Sequence, residues 1–333
     1  MYNKLLTLKK ELNGKKAFLI EGARRIGKST ICEEFGKNEY KSYILIDFAK
    51  CPDEVKGYFQ KHMNDLDTFF MLLSTYYGVK LFERESLIIF DEVQMYPKAR
   101  ECIKYLVADG RYDYIETGSL ISIKENVKNI VIPSEERHLS MYPLDFEEFL
   151  LANGFNQFAI DMMHEKFLAG ESLDAAMHGK VMDLFKKYLL IGGLPDAVNS
   201  FIADTNIVKV RTIHRDIRAF YADDASKYEA DNNKKLKIRR IYDMIPSNLE
   251  SKKKRVVFQD IEDKRGKRFS DYQDEFEYLI SAGIALDVNA ITTPVFPLTQ
   301  SVGKNLLKLY LNDVGLLTDV LYGSNIRAIL DDE

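Results

Sequence analysis

A glycine-rich segment near the N-terminus has the residue types and the spacing of a phosphate-binding loop. The run Gly22-Ala-Arg-Arg-Ile-Gly-Lys-Ser29 fits the pattern G-x-x-x-x-G-K-[ST]. In this pattern the glycines let backbone N–H groups turn toward the phosphates, the lysine reaches the β- and γ-phosphates, and the serine hydroxyl binds Mg²⁺. The positive end of the following helix also faces the anion. The predicted nucleotide-binding residues are Gly22, Ala23, Arg24, Arg25, Ile26, Gly27, Lys28, Ser29 and Thr30.

A second run, Leu87-Ile-Ile-Phe-Asp91-Glu92, is an apolar strand that ends in two acids. Asp91 has the position of a Walker B aspartate, which holds Mg²⁺ through water, so Ser29 and Asp91 are the predicted metal ligands. Glu92 is placed to orient and deprotonate the attacking water. The pair favours hydrolysis over simple nucleotide binding. Gln94 has two interpretations, a contact to phosphate or water and a side chain that faces solvent.

Several polar and basic residues are further candidates for the same site. Ser119 or Thr117, directly after the next predicted strand, could sense the γ-phosphate or cap the next helix. Arg137 could act as a cis sensor or as a trans-acting finger in a homo-oligomer, and a plain surface arginine is the alternative. Arg24 and Arg25 could contact phosphate or a neighbouring subunit. No N-K-x-D triplet is present, which disfavours guanine nucleotides and predicts ATP and ADP as ligands.

The elements that must position these residues alternate along the first part of the chain. Strands are predicted at Ala17–Glu21, Tyr43–Asp47, Leu87–Asp91, Tyr112–Glu116 and Arg137–Tyr142, and helices between them at Lys28–Phe35, Leu66–Tyr77 and Ala99–Ala108. This alternation predicts an α/β fold with a five-stranded parallel sheet covered on both faces. A strand between the loop and the Asp-Glu strand, and another strand after it, suit the ATPase branch in which the sensor strand lies centrally.

From Asp145 to about Tyr221 the strands disappear, and helices are predicted at Asp145–Leu151, Leu173–Leu190 and Ile202–Tyr221. We interpret this segment as a helical lid. It contains Gly192-Gly-Leu-Pro195, which has two interpretations. One is a helix C-cap followed by proline at the first position of the next helix. The other is a tight turn against the adenine, which makes Gly193 and Pro195 candidate nucleotide-binding residues.

The last segment differs in charge. Residues 226–270 contain 14 Lys/Arg against 7 Asp/Glu. The predicted elements there and beyond are helices at Lys235–Ile245 and Tyr272–Ala282, strands at Ile284–Asn289 and Leu306–Tyr310, and a helix at Leu311–Leu321. Helices followed by a strand pair predict a winged helix-turn-helix. The predicted domains are therefore a P-loop domain at 1–150, a lid at 151–222 and a winged-helix-like domain at 223–333.

Composition restricts the class of protein. The 333 residues are 46% hydrophobic and 29% charged, which is typical of a globular chain. No apolar stretch is long enough for a membrane span, and Met1–Lys16 has no apolar signal core. The three cysteines, Cys32, Cys51 and Cys102, lie far apart, so neither a disulfide framework nor a zinc site is expected. Free thiols predict a reducing cytoplasm. The net charge of −4 argues against coating of nucleic acid along the whole chain.

Taken together, these motifs resemble the prokaryotic AAA-type ATPases often called archaeal-type ATPases. The segments that carry the resemblance are GARRIGKST, LIIFDEVQ, ETGS, MYPLDFEEFL, YLLIGGLP and KLYLNDVGLL, in this order. The resemblance implies an AAA+/STAND-like core, a helical lid and a winged-helix domain. It also implies that the proline of GGLP lies near the base, and that Lys28, Ser29, Asp91, Glu92 and Ser119 have the roles given above. Family members commonly continue into a nuclease-like domain, but no nuclease centre can be assigned in this sequence.

The partner has two main interpretations. The first is an ATPase whose winged helix binds DNA through three basic clusters: Lys234-Lys235 with Arg239-Arg240, Lys252–Arg255, and Lys264-Arg265 with Lys267-Arg268. The second is a STAND-type signalling switch that is locked by ADP and binds only protein. A small-molecule enzyme is the remaining class, although no acceptor-substrate motif is present. One open face that carries Lys237, Arg240 and Lys252–Arg255 would favour DNA, whereas salt bridges from these residues to the core would favour the switch.

Overall fold

A computed structural model describes the greater part of the chain. The described residues are 1–119, 131–227, 231–251, 256–262, 266–323 and 325–331, with backbone only at 225–227, 299–300 and 303–306. The chain divides into two compact units, Met1–Met141 and Tyr142–Glu333. The predicted P-loop, Walker B and sensor residues lie in the first unit. The predicted lid and winged-helix segments both fall within the second.

The first unit contains a five-stranded parallel sheet. Its strands are β1 (Ala17–Glu21), β2 (Ser42–Asp47), β3 (Ser86–Asp91), β4 (Asp113–Gly118) and β5 (Glu136–Ser140). The strand order is β2-β3-β4-β1-β5, and all neighbours are parallel. The predicted α/β fold with a five-stranded parallel sheet is therefore confirmed. Because β4 lies between β1 and β3, the strand that carries Thr117 is central in the sheet.

Helices cover this sheet, as parallel sheets require. They are α1 (Tyr2–Leu12), α2 (Lys28–Glu39), α3 (Asp53–Lys61), α4 (Leu66–Tyr77) and α5 (Pro97–Asp109). Every residue of β3 is buried. On one face of the sheet an aromatic cluster fills the core, with Phe59 in edge contact with Phe48, Phe69 and Phe90 at 5.0–5.6 Å between ring centroids. This buried core holds the carboxyl end of β3 in place next to the start of α2.

The second unit is mostly helical. Its helices are α6 (Phe146–Ala152), α7 (Gln157–Ala169), α8 (Ala175–Ile191), α9 (Pro195–Asp204), α10 (Ile207–Lys227), α11 (Asn232–Glu250), α12 (Gln259–Glu262), α13 (Gln273–Ser281), α14 (Val314–Tyr322) and α15 (Arg327–Leu330). Two strands, β6 (Ala285–Ile291) and β7 (Val302–Leu311), form an antiparallel hairpin. The prediction of a single helix at Ile202–Tyr221 is wrong. The helix that contains Ile202 ends at Asp204, and Thr205, whose φ is 52°, separates it from the next helix.

The hairpin has a further strand-like contact on its β7 side. The backbone N–H of Val256 donates to the carbonyl of Leu307 at 3.0 Å. The chain then forms the short helix α12 and, after residues 263–265, which lie outside the described part, α13 and the hairpin. Leu307, Leu309 and Leu311 of β7 are buried.

No helix in the described part of the chain combines the length and the apolar character that crossing a bilayer needs. All three cysteines are buried and unbridged. Burial raises the pKa of Cys102 to about 12, so this thiol stays protonated and unreactive at neutral pH.

Candidate nucleotide site

The phosphate-binding loop connects the carboxyl end of β1 to the first residue of α2. Gly27, the residue before α2, has φ 90°, which is the left-handed conformation that glycine adopts without steric cost. Gly22 lies against the carbonyl oxygen of Met141, where a Cβ would clash. The two motif glycines are therefore required by backbone conformation and by close packing. The loop leads directly into α2, as an anion site at a helix N-terminus needs.

Lys28 lies inside the loop rather than in solvent. Its side chain is buried, and Nζ donates to the carbonyl oxygens of Gly22 at 3.1 Å and Ala23 at 2.7 Å. Burial lowers the pKa of Lys28 to about 8, although the nearby charges of Glu92 and Asp91 act in the opposite direction. The ammonium group is thus poorly solvated and held by weak neutral acceptors. An anion with strong acceptor oxygens is a better partner for it than these carbonyls.

Ser29 and the Walker B aspartate meet at the edge of the sheet. Ser29 Oγ donates to Asp91 Oδ1 at 2.8 Å, and Thr117 Oγ1 donates to the same oxygen. These three residues come from α2, β3 and β4. A hydroxyl and a carboxylate at this spacing are oxygen ligands of the kind that Mg²⁺ prefers, and Mg²⁺ usually takes its remaining ligands from water and phosphate. The donor set therefore fits Mg²⁺ held with a nucleotide. The described residues form no group of three or more His, Cys, Asp or Glu that could hold a metal ion alone.

Glu92 follows Asp91 in a conformation that is unusual for a glutamate. Its φ and ψ are 52° and 45°, in the left-handed region. Its backbone N–H donates to Thr117 Oγ1 at 3.2 Å, and its carbonyl accepts from the N–H of Met95 at 2.9 Å. Gln94 Nε2 donates to Glu92 Oε2. Non-glycine residues in this region are often found where function requires a fixed geometry.

The sensor candidates differ in what they contact. Thr117 is fully buried and joins Asp91 to the backbone of Glu92, whereas Ser119 is buried directly after β4. Ser119 and Thr117 are both sensor candidates from the sequence, and the structure places Thr117 in contact with the Walker B aspartate. The role of Ser119 stays a prediction.

The arginine candidates are more exposed. Arg25 and Arg137 are exposed, and Arg24 is half-buried in the loop. Arg137 pairs in register with Phe18, four residues before Gly22, or about 13 Å along the strand direction. This placement favours the interpretation of Arg137 as a surface residue over a cis sensor. Its trans-acting role stays a prediction.

Gly193 and Pro195 belong to the second unit, where they have structural roles. Gly192 caps α8, and Pro195 is the first residue of α9, as the C-cap interpretation predicts. The N–H of Gly193 donates to Asp313 Oδ2 at 2.6 Å, and its carbonyl accepts from Leu144 N–H at 2.8 Å. The contact with Asp313 links the GGLP and NDVGLL motifs, which sequence spacing did not reveal. Binding of nucleotide by Gly193 and Pro195 stays a prediction.

A buried acidic network behind the loop was also missed from sequence. Arg100 on α5 makes two hydrogen bonds to Glu136, Nε–Oε1 at 2.8 Å and Nη2–Oε2 at 2.7 Å. His138 lies 2.9 Å from Glu21 and 3.3 Å from Glu136. Glu116 is fully buried in the same region, and its burial, with the negative charge of Glu136, raises its pKa well above the usual value. The residues are scattered along the sequence, and only the sheet register brings them together.

The basic residues of the second unit are mostly paired where the structure describes them. Lys237 lies 3.3 Å from Glu262 and 4.0 Å from Glu275, and Arg240 donates to the carbonyl of Ile261 at 2.6 Å. The other described ion pairs of the basic clusters are Lys234–Asp274, Arg239–Asp223, Arg239–Asp243 and Lys267–Asp271, at 3.0–4.0 Å. The predicted clusters Lys252–Arg255 and Lys264-Arg265 lie outside the described residues.

Comparisons with known protein families match two separate segments of the chain. The family model of an AAA domain matches residues 14–150, and the model of a domain of unknown function matches residues 182–326. A search of curated proteins found no match. The AAA match covers the strands, the loop and the Walker B acids described above.

Three solved structures have limited similarity to this chain. The closed state of Hsp104 with ATPγS and FITC casein has a TM-score of 0.35 at 12% identity, covering 76% of this chain and 51% of the Hsp104 chain. Cdc6p from Pyrobaculum aerophilum has a TM-score of 0.31 at 12% identity, covering 99% and 93%. The S. cerevisiae Hsp104–ADP complex has a TM-score of 0.32 at 14% identity, covering 84% and 37%. The chain thus spans about half the length of the first of these, and all three scores are low.

Proposed function

We propose that this chain, which carries an AAA domain at residues 14–150, is a magnesium-dependent ATPase. The observation that carries the proposal is the contact of Ser29 Oγ with Asp91 Oδ1 at 2.8 Å. It joins the last residue of the phosphate-binding motif to the Walker B aspartate. A glutamate with the position of a general base follows directly.

Each residue then has a chemical task. Lys28 exchanges its two carbonyl partners for phosphate oxygens, and Ser29 and Asp91 hold Mg²⁺. Mg²⁺ held by these two residues would neutralise charge that develops on the phosphates. Glu92 accepts a proton from water, the water oxygen forms a bond to the γ-phosphorus, and the bond to the bridging β–γ oxygen breaks. The products are ADP and phosphate.

The first test is ATP turnover by the wild type and by Glu92→Gln. Glu92→Gln is expected to bind Mg·ATP normally and to lower kcat by about 10²–10⁴-fold, because general-base catalysis contributes about that much. Glu83, exposed in the turn before β3, provides the matched control Glu83→Gln, which is expected to keep wild-type turnover. Equal turnover in Glu92→Gln and wild type would remove Glu92 from the mechanism.

The second unit supports a winged-helix module that binds protein. The order of the elements along the chain supports a winged helix. It runs from α11 through the Val256–Leu307 contact to α12, α13 and the β6–β7 hairpin. In such a module the helix before the hairpin would be the one that enters the DNA groove. On α13 the exposed side chains include Asp274 and Glu277, and the helix contains no Lys or Arg. Acids at that position repel phosphate, so this helix suits a protein surface better than DNA.

Lys237 is ion-paired with Glu262 and Arg240 donates to the carbonyl of Ile261, so part of the positive charge of this segment is engaged locally, which fits the STAND-type switch that is locked by ADP and turns over slowly. Its test is turnover with and without duplex DNA at low salt, together with the nucleotide content of the purified chain. Tightly held ADP and no response to DNA are the expected results. Stimulation by DNA that falls as salt rises would instead identify a nucleic-acid-dependent ATPase.

A further inference from the structure

Gln94 is a buried amide beside the Walker B strand, and the proposed chemistry has given it no task. It lies in a short 3₁₀ turn at Val93–Met95, and its exposed fraction is 4%. The interpretation of Gln94 as a solvent-facing residue is therefore wrong. Burial of an amide is unfavourable unless it is hydrogen-bonded. The hydrogen bond to Glu92 therefore offsets part of the cost of burying the amide of Gln94.

The contact places the amide on one particular oxygen of the proposed base. Gln94 Nε2 donates to Glu92 Oε2. The backbone of Glu92 is already held on both sides, by Thr117 Oγ1 at its N–H and by the N–H of Met95 at its carbonyl. The side chain of Glu92 itself is only half-buried, so packing alone does not select its rotamer. Gln94 supplies the constraint that the backbone bonds do not.

We propose that Gln94 is a positioning residue for ATP hydrolysis, an inference that rests on the proposed function. With Oε2 occupied by the amide of Gln94, Oε1 of Glu92 is the oxygen that accepts the proton of the attacking water. The O–H bond of water breaks, and its oxygen attacks the γ-phosphorus as the leaving ADP oxygen departs. Gln94 touches no reacting atom. It acts by fixing the carboxylate in the orientation that this proton transfer needs.

The test uses two variants of Gln94 in the full chain. Gln94→Met keeps the length and the burial but removes the donor. Gln94→Glu keeps the shape but replaces the donor by an acceptor. Both are expected to lower kcat by up to about 100-fold, which misplacement of a catalytic group by about 1 Å can cause. For Gln94→Met the Kd for Mg·ATP and the thermal midpoint are expected to stay at the wild-type values, because the proposed role of Gln94 is to orient Glu92 and this substitution buries no new charge.

A double-mutant cycle separates positioning from a general structural effect. In the Glu92→Gln background, Gln94→Met is expected to cause no further loss, because the group that it positions is already gone. Tyr105, exposed on the following helix α5, provides the control Tyr105→Ala, which is expected to retain wild-type kcat.

The outcomes distinguish this inference from the proposed function. Wild-type turnover that Gln94→Met leaves unchanged would overturn the role of Gln94 alone. So would equal losses from Gln94→Met in the wild-type and Glu92→Gln backgrounds, or a loss of ATP affinity equal to the loss of kcat. Absence of turnover in the wild type would overturn the ATPase proposal and this inference with it.

Discussion

Glu116 is a fully buried acid on the central strand β4. Burial first, and then the negative charge of Glu136, raises its pKa well above the ordinary value, so this carboxyl keeps its proton to a higher pH in the folded protein than in the unfolded chain. The unfolded chain ionises near the ordinary value of 4.5. As pH rises above that value, the unfolded state releases a proton that the folded state retains. The contribution of Glu116 is therefore favourable at low pH and is lost as pH rises.

This sign predicts the behaviour of Glu116→Gln, which imitates the protonated acid. The difference in free energy of unfolding between the variant and the wild type is expected to change in favour of the variant as pH rises from about 5 to about 8. The slope can reach about 1.4 kcal/mol per pH unit for one proton. Urea unfolding at several pH values measures it. A difference that is independent of pH would show that Glu116 is ionised in the folded protein.

Arg100 and Glu136 make the complementary prediction about a buried ion pair. The two side chains share two hydrogen bonds and are almost completely buried. Arg100→Met leaves the carboxylate of Glu136 without its cation and is expected to lower the free energy of unfolding by about 3–5 kcal/mol. Denaturant unfolding measures the loss. Lys41→Met, which removes an ion pair with Glu85 that is exposed on both sides, serves as the comparison, and a similar loss in both variants would contradict the prediction.

At the scale of elements, Asp313 joins two parts of the second unit. Its Oδ1 accepts from Leu316 N–H at 3.2 Å at the start of α14, and its Oδ2 accepts from Gly193 N–H between α8 and α9. Asp313→Ala removes a helix cap, at about 1 kcal/mol, and leaves the buried N–H of Gly193 unsatisfied, at about 1–3 kcal/mol. The expected loss in free energy of unfolding is about 2–4 kcal/mol, measured by denaturant. Asp174→Ala removes only an exposed cap of α8 and should cost about 1 kcal/mol.

The elements also show how far local sequence reasoning reaches. The predicted β1 and α4 match the structure at both ends, since each has a strong local signal: a continuous apolar run, and an Asp65 cap with a glycine stop. The helix break at Thr205 was not predicted, because it depends on hydrogen bonds of one side chain and leaves the apolar pattern of the sequence unchanged. Asn206 Oδ1 accepts from the N–H groups of Val208 and Lys209 and starts a new helix within an apolar pattern that continues through it.

The residues of the candidate site also differ in whether the sequence could predict their contacts. The loop and the Asp-Glu pair were predictable because their residues are adjacent in sequence and their roles follow from that spacing. Thr117 and Asp313 gain their contacts from tertiary structure. Thr117 reaches Asp91 only because β4 lies beside β3, and Asp313 meets Gly193 across 120 residues of chain. A single sequence contains no spacing rule for such contacts.

At the scale of the whole molecule, the charge distribution restricts the partner. The chain carries a net charge of −4, although residues 226–270 have 14 Lys/Arg against 7 Asp/Glu. Binding to DNA requires cations that can replace counterions at phosphates. In the described part of that segment Lys237 and Arg240 are already engaged with neighbouring groups, and the helix α13 presents acids. These features together favour a protein partner.

The proposal that Gly193 and Pro195 bind the nucleotide makes a prediction for the whole chain. Mg·ATP at about 100 times its Kd stabilises the binding-competent state by about 2.7 kcal/mol, which slows exchange through opening by up to about 100-fold. Glu92→Gln, loaded with Mg·ATP, is expected to show slower hydrogen exchange at the loop, at the end of β3 and at the Gly192–Pro195 turn. Addition of Lys28→Met should remove all three effects by removing nucleotide binding. Slower exchange confined to residues up to Met141 would show that the Gly192–Pro195 turn does not respond to ATP. The proposed switch would then have to depend on other residues of the second unit.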